Sequence, residues 1–181
     1  MVFYNRRFNP QDAAAVVTEV TELVARHRLT EVALADSNFL VDTRWALAIA
    51  RGFLGSGLRF KWTFQASTDL LCRLSDEEVR LLGASGVSHI GFGTESASPE
   101  VLRLMNKRHQ EIGDMFETAR KCRLAGIRTT FNLVLGYPGL QLLDAGFAEG
   151  EHPLRPFELD GTFVETEGIT NDCSPSEIKC F

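Results

Sequence analysis

Four short apolar runs, each joined to the next by a segment of helical periodicity, recur along residues 1–139. Glu31 to Ala35 (EVALA), Phe60 to Gln65, Val87 to Phe92 and Arg128 to Leu135 have the length and apolar character of strands inside a sheet. Ahead of the first, Ala13, Val16, Val17, Val20, Leu23 and Val24 recur at helical spacing, with Asn9 as the expected N-cap and Pro10 in the first helical position. Thr43 opens a second helix through Trp45, Leu47, Ile49, Ala50 and Phe53, closed by Gly55. Ser75 to Glu78 (SDEE) has capping-box spacing, and its helix is expected to end near Gly86. Ser98-Pro99 starts a short helix; Ile112, Met115, Phe116, Ala119 and Leu124 mark another, closed by Gly126. Repeated strand–helix units with apolar strands imply an α/β fold, a parallel sheet covered by helices. The local pattern leaves two architectures open, an open doubly wound sheet and part of a (β/α) barrel.

Each expected strand runs into a polar cluster. Asp36, Ser37 and Asn38 follow the first, Gln65, Ser67, Thr68 and Asp69 the second, Gly93, Thr94, Glu95 and Ser96 the third, and Gly136, Tyr137, Pro138 and Gly139 the fourth. The carboxyl edge of a parallel sheet is where ligands bind in barrels and open sheets alike. Any one cluster is explained by turn and cap chemistry, which favours Asp, Ser and Asn. Four clusters converging on one edge point to a site, and glycine at a strand end lets a ligand approach the backbone. GFGTES is not a dinucleotide fingerprint, because Ser96 stands where the third glycine belongs and the strand is not the first.

Charge divides the chain unevenly. Residues 140–181 hold nine acids and two bases, a net of −7, and residues 1–139 fifteen acids and seventeen bases, a net of +2, so the overall −5 comes from the tail. The tail also lacks periodicity, which places a domain boundary near Gly139 and makes 140–181 an acidic, irregular segment. The negative balance argues against a nucleic-acid or membrane-surface partner. No run reaches the roughly 18 apolar residues of a membrane span, and MVFYNRRFNPQD lacks the apolar region of a signal peptide. The four cysteines, Cys72, Cys122, Cys173 and Cys180, have no CxxC-type spacing, and a reducing cytoplasm is the expected compartment.

ADSNFLVD (35–42), FKWTFQAST (60–68), HIGFGTESASPEVLRLMNKRH (89–109) and AGIRTTFNLVLGYPG (125–139) resemble the radical S-adenosylmethionine (radical SAM) enzymes, especially the subgroup that often carries an upstream cobalamin-binding domain. The resemblance covers residues 1–139. It implies a partial TIM-like (β/α) barrel, incomplete at both ends, with the cofactor at the carboxyl edge of its parallel strands. By position, Glu95 matches the residue contacting the ribose hydroxyls of S-adenosylmethionine, and a carboxylate can accept a hydrogen bond from each hydroxyl of a diol. Lys107 matches the basic residue that meets the cofactor's carboxylate. Asp36 to Asn38 match the segment holding its amino group. Gly93, and Gly136, Pro138 and Gly139 in the last motif, would let backbone groups approach the adenosyl moiety.

The same resemblance implies a 4Fe-4S cluster on a CxxxCxxC loop, which chelates the cofactor and delivers the electron that cleaves it to a 5′-deoxyadenosyl radical. Cluster ligation needs closely spaced thiolates, and no such motif occurs in these 181 residues. Cys72 and Cys122 fall in helical pattern and read as small apolar residues. The chain is therefore expected to be a fragment, truncated before the cysteine loop and diverging after Gly139, and inactive alone; cobalamin would belong to the parent protein. A non-catalytic pseudoenzyme or partner-binding α/β protein, self-associating through exposed strand edges, is the alternative.

Overall fold

The structure, a computed structural model, describes residues 10–107, 109–135 and 166–168. Helix α1 (Ala13–His27) starts three residues later than the Pro10 signal suggests. Asp12 is its cap, and one carboxylate oxygen accepts from the amides of Ala14 at 2.9 Å and Ala15 at 3.0 Å. Asn9 lies outside the described residues. Strand β1 (Glu31–Ala33) is two residues shorter than EVALA; α2 (Thr43–Gly55) follows, capped by Asp42 on the Trp45 amide at 3.0 Å. Strand β2 (Lys61–Ala66) leads into α3 (Thr68–Cys72), and α4 (Asp76–Ala84) carries the expected capping box between Ser75 and Glu78. Strand β3 (Val87–Glu95) runs three residues past the expected end at Phe92. Then come α5 (Pro99–Leu104), α6 (Ile112–Leu124), β4 (Arg128–Leu135) and β5 (Thr166–Gly168). The last is a three-residue strand within the stretch read as irregular.

The sheet order is β1-β2-β3-β4-β5, every neighbouring pair parallel. This settles the question that local pattern left open. A doubly wound sheet reverses its strand order at a switch point. A strictly sequential order with right-handed crossovers puts every connecting helix on the same face, which is the construction of a (β/α) barrel. The burial pattern agrees. Trp62, Phe64, Ala66, Ile90, Phe92 and Phe131 face one continuous core with Leu47, Ile49, Ala50 and Phe53 of α2, Leu71 of α3, Val79 and Leu82 of α4 and Cys122 of α6. The five strands form an arc of a TIM-like barrel, helices outside and the other sheet face inside.

A buried lysine ties the outer layer together. Lys121 of α6 donates to the carbonyls of Cys72 at 2.8 Å and Leu74 at 2.6 Å, satisfying groups left open at the end of α3. The loops after β1 and β2 are joined as well: the Phe39 amide donates to the Gln65 carbonyl at 2.9 Å, continuing the sheet past the last residue of β1.

Candidate functional site

Because the strands are parallel, the segments after β1, β2, β3 and β4 all leave the same edge, and Asp36 and Glu95 share it. At strand spacing, β1 and β3 are about 10 Å apart. Asp36 accepts the Asn38 amide on one carboxylate oxygen at 2.8 Å, an Asx turn at the start of the loop. Asn38 is turned towards the next loop. Its side-chain nitrogen donates to the Ser67 hydroxyl at 3.2 Å, and its side-chain oxygen accepts the Ser67 amide at 3.2 Å. The Asn38 carboxamide therefore fixes the rim between β1 and β2.

The end of β3 is irregular in a specific way. Gly93 pairs with Asn132 and Glu95 with Leu133, so Thr94 is an extra residue and β3 bulges there. Glu95 takes a left-handed backbone, φ 65°, a conformation that costs a non-glycine residue about 1 kcal/mol or more. The bulge turns the carboxylate back over the strand, where it pairs with Lys107. Glu95 does not cap the following helix; Ser98 does, accepting the Val101 amide at 3.4 Å. Lys107 is delivered by the tight end of α5, its amide donating to the Leu102 carbonyl at 2.7 Å after Asn106 at φ 58°. Its ammonium also lies 3.4 Å from the Gly93 carbonyl. A side chain on Gly93 would crowd the pair, since its Cβ would sit 3.1 Å from Glu95 Oε1 and 3.5 Å from Lys107 Nζ. Glu95, Lys107 and Gly93 thus form one unit.

Gln110 was not singled out by the sequence. It is buried, and its side-chain nitrogen donates to the Gly93 carbonyl at 2.8 Å. Its oxygen, the hydroxyls of Thr94 and Thr68, and one oxygen of Asp69 are buried without hydrogen-bond partners. All four sit on segments at or just beyond the carboxyl edge. No local signal marks Gln110, because its role depends on a strand end seventeen residues away. His109 is exposed. Gly136, Pro138 and Gly139 lie outside the described residues, and β4, which leads to them, ends at this edge. A cleft of about 520 Å³ opens at the opposite edge, between Phe53, Leu54, Leu58, Arg59 and Lys61, and contains none of the rim residues.

Of the two described cysteines, Cys122 is a core group and Cys72 is half-buried beside it. Cys122 is fully buried, and desolvation pushes its thiol up to about 12. Burial also raises Cys72, whose thiol donates to the Asp114 carbonyl at 3.2 Å. A thiol above its ordinary pKa is mostly protonated at neutral pH and a poor nucleophile. Iodoacetamide at pH 8 is therefore expected to leave Cys122 unmodified in the native chain and to alkylate it in urea, as read by peptide mass spectrometry. Rapid native labelling of Cys122 would contradict its place in the core. Among the described residues, no group of three His, Cys, Asp or Glu is placed to hold a metal ion, and no helix is long and apolar enough to cross a membrane.

A sequential parallel arc with its polar loops and a charged clasp on the carboxyl edge defines an α/β protein of the (β/α)-barrel type. The profile of the radical SAM superfamily matches residues 4–144, and the chain belongs to that superfamily. It is 23% identical over 137 residues to an uncharacterized methyltransferase of Pyrococcus horikoshii, covering 75% of this chain and 28% of that protein. Among solved structures it resembles TsrM of Kitasatospora setae, a radical S-adenosylmethionine methyltransferase determined with cobalamin and a 4Fe-4S cluster bound. The TM-score is 0.65 at 22% identity, over 74% of this chain and 27% of that one. It also resembles OxsB, a cobalamin-dependent S-adenosylmethionine radical enzyme determined with aqua-cobalamin, at a TM-score of 0.68 and 15% identity over 77% of this chain and 22% of that one. These likenesses establish the TIM-like fold. The chain spans between 22% and 28% of the length of these proteins.

Proposed function

We propose that this chain forms part of the S-adenosylmethionine-binding rim of a radical SAM enzyme of the cobalamin-associated type. The observation that carries the reading is the clasp at the end of β3: a carboxylate and an ammonium brought together over a glycine by a bulge and a left-handed residue. On binding, Glu95 would exchange its partner for the two ribose hydroxyls, and Lys107 would take the carboxylate of the methionyl group. Asp36 keeps one carboxylate oxygen outside its Asx turn for the methionyl amino group. Asn38 acts one step removed, holding the β1 and β2 loops in register. Gly93, which carries no side chain, leaves space for the clasp. The bound cofactor would supply the methyl group or the adenosyl fragment. Gly136, Pro138 and Gly139, outside the described residues, are proposed by sequence alone to approach the adenosyl moiety through their backbone.

The 4Fe-4S cluster does not fit this chain's own residues. Its cysteines lack cluster spacing, and the two described thiols are committed to the helical layer. No step is assigned through the cluster, and turnover by these 181 residues alone is not expected. Without cluster chelation, S-adenosylmethionine is expected to bind weakly, with Kd on the order of 1 mM. Glu95→Gln keeps the shape but removes the charge and one acceptor, and should weaken binding about tenfold in calorimetric titrations, the cost of a charge-assisted hydrogen bond. Equal affinity of the native and Glu95→Gln chains, or no binding by the native chain, would overturn the assignment.

A further inference from the structure

Lys107 reaches the clasp on a flexible four-carbon stem, so its ammonium has many positions open to it. A partly exposed ion pair does little by itself to choose among them. Here the Lys107 side chain is 32% exposed and that of Glu95 20%. Two anchors are already in place: the bond from the Lys107 amide to α5, and the bulge that turns Glu95 back over β3. A third residue, Gln110, connects them.

Gln110 holds both ends of the clasp. Its backbone amide donates to the Lys107 carbonyl at 3.1 Å, and its side-chain nitrogen donates to the Gly93 carbonyl at 2.8 Å. The first bond fixes the root of the lysine stem. The second ties that root to the strand end from which Glu95 rises. Gly93 is itself paired with Asn132 of β4, so the tie reaches the frame of the sheet. The Gln110 side chain is buried, and its oxygen has no hydrogen-bond partner among the described residues. The bond to Gly93 is therefore the one hydrogen bond this carboxamide makes there.

The Gly93 carbonyl is also a rival acceptor for the ammonium. Lys107 Nζ lies 3.4 Å from it, while the Glu95 carboxylate is in closer contact. An ammonium has three N–H donors and a carbonyl oxygen two lone pairs. Gln110 takes one lone pair at the shorter distance and leaves the longer contact to the lysine. Being neutral, it does so without adding charge at the clasp. A carboxylate at position 110 would do the reverse, offering Gly93 no donor and Lys107 a second anion.

We infer that Gln110 is the positioning residue of the clasp. By bonding the Gly93 carbonyl with its side chain and the Lys107 carbonyl with its backbone, it sets where the ammonium meets Glu95, and so where the carboxylate of a guest is received. The inference rests on the cofactor reading above for the identity of that guest; the placement of Lys107 does not depend on it.

The test uses the 181-residue chain, native and with Gln110→Met or Gln110→Glu. Methionine keeps the length and burial of the side chain and removes the donor; glutamate keeps the shape and puts an acceptor in its place. Without ligand, the ¹³C signal of the Glu95 carboxylate should shift in Gln110→Met. That shift should vanish when the same substitution is made in a Lys107→Met chain, because the effect passes through the lysine. With ligand, the readout is the ratio of two Kd values, for S-adenosylhomocysteine, which carries the amino-acid carboxylate, and for 5′-methylthioadenosine, which lacks it. The native chain should prefer the first about tenfold. Gln110→Met should cut the preference to about threefold and Gln110→Glu should abolish it, with the Kd for methylthioadenosine within about twofold of native. A merely structural role would weaken both ligands alike and leave the ratio unchanged. An unmoved Glu95 signal, a shift that persists without Lys107, or an unchanged ratio would each overturn the inference. Failure of both nucleosides to bind, with the Lys107-dependent shift intact, would remove the cofactor reading and leave Gln110 as the residue that places Lys107.

Discussion

Trp62→Ala is expected to lower the unfolding free energy by about 3–5 kcal/mol, the range for deleting a buried aromatic side chain. Trp62 has no exposed surface. Its ring lies 5.6 Å from that of Phe39 in the loop after β1, 5.3 Å from Phe53 of α2 and 5.3 Å from Phe64, its neighbour on β2. Its indole nitrogen donates to the Ser85 carbonyl at 3.1 Å, at the turn between α4 and β3. One side chain thus joins three βα units. Alanine would leave a cavity walled by aromatic rings too rigid to collapse into it, and would strand the Ser85 carbonyl at about a further 1 kcal/mol. A domain of ordinary stability has about 5–15 kcal/mol to lose, so the variant should unfold at markedly lower urea with an unchanged slope. Far-ultraviolet circular dichroism is the readout. A loss below about 1 kcal/mol at constant slope would show that the core is not organised around this ring.

Gly83→Ala is expected to destabilise by about 2 kcal/mol, against helix propensity, which favours alanine by about 1 kcal/mol. An added Cβ on Gly83 would overlap the Ala125 carbonyl oxygen, and it would lie 3.3 Å from that carbonyl's carbon. The obstacle is backbone, at the residue that closes α6, so it cannot rotate aside as a side chain would. Overpacking of this kind costs about 1–3 kcal/mol beyond any propensity gain. Gly113, also helical, is the control: a Cβ there meets nothing within 4 Å, and Gly113→Ala should stabilise by up to about 1 kcal/mol. Thermal unfolding of the two variants side by side decides the matter. Stabilisation by Gly83→Ala would mean that α4 and α6 do not approach backbone to backbone.

Much of residues 10–135 was legible because strand burial and helix caps are local. Thr43, the Ser75–Glu78 box, Ser98-Pro99 and the β4 run from Arg128 to Leu135 all stand where their residue types predict. The start of α1 moved because Asp12 offers a charged acceptor to two amides, whereas Pro10 only permits a helix. Helix α3 was hidden inside a polar cluster, since its five residues are too few to show a period. Strand order was illegible in principle, because a doubly wound sheet and a barrel share the same strand–helix units and differ only in which strands pair. Glu95 and Lys107 were each visible as candidates, but their union was not. It depends on a bulge at Thr94 and two left-handed residues, Glu95 and Asn106, none of which is a glycine.

The clasp over Gly93 carries both signs of charge at one spot, and while closed it cancels itself. A guest bearing an acid and a base of its own can enter by swapping partners, leaving the net charge of the rim as it was. Such an exchange draws its selectivity from geometry and little from long-range attraction. In the proposed cofactor-binding role, the rim would therefore favour ampholytes over simple ions of either sign.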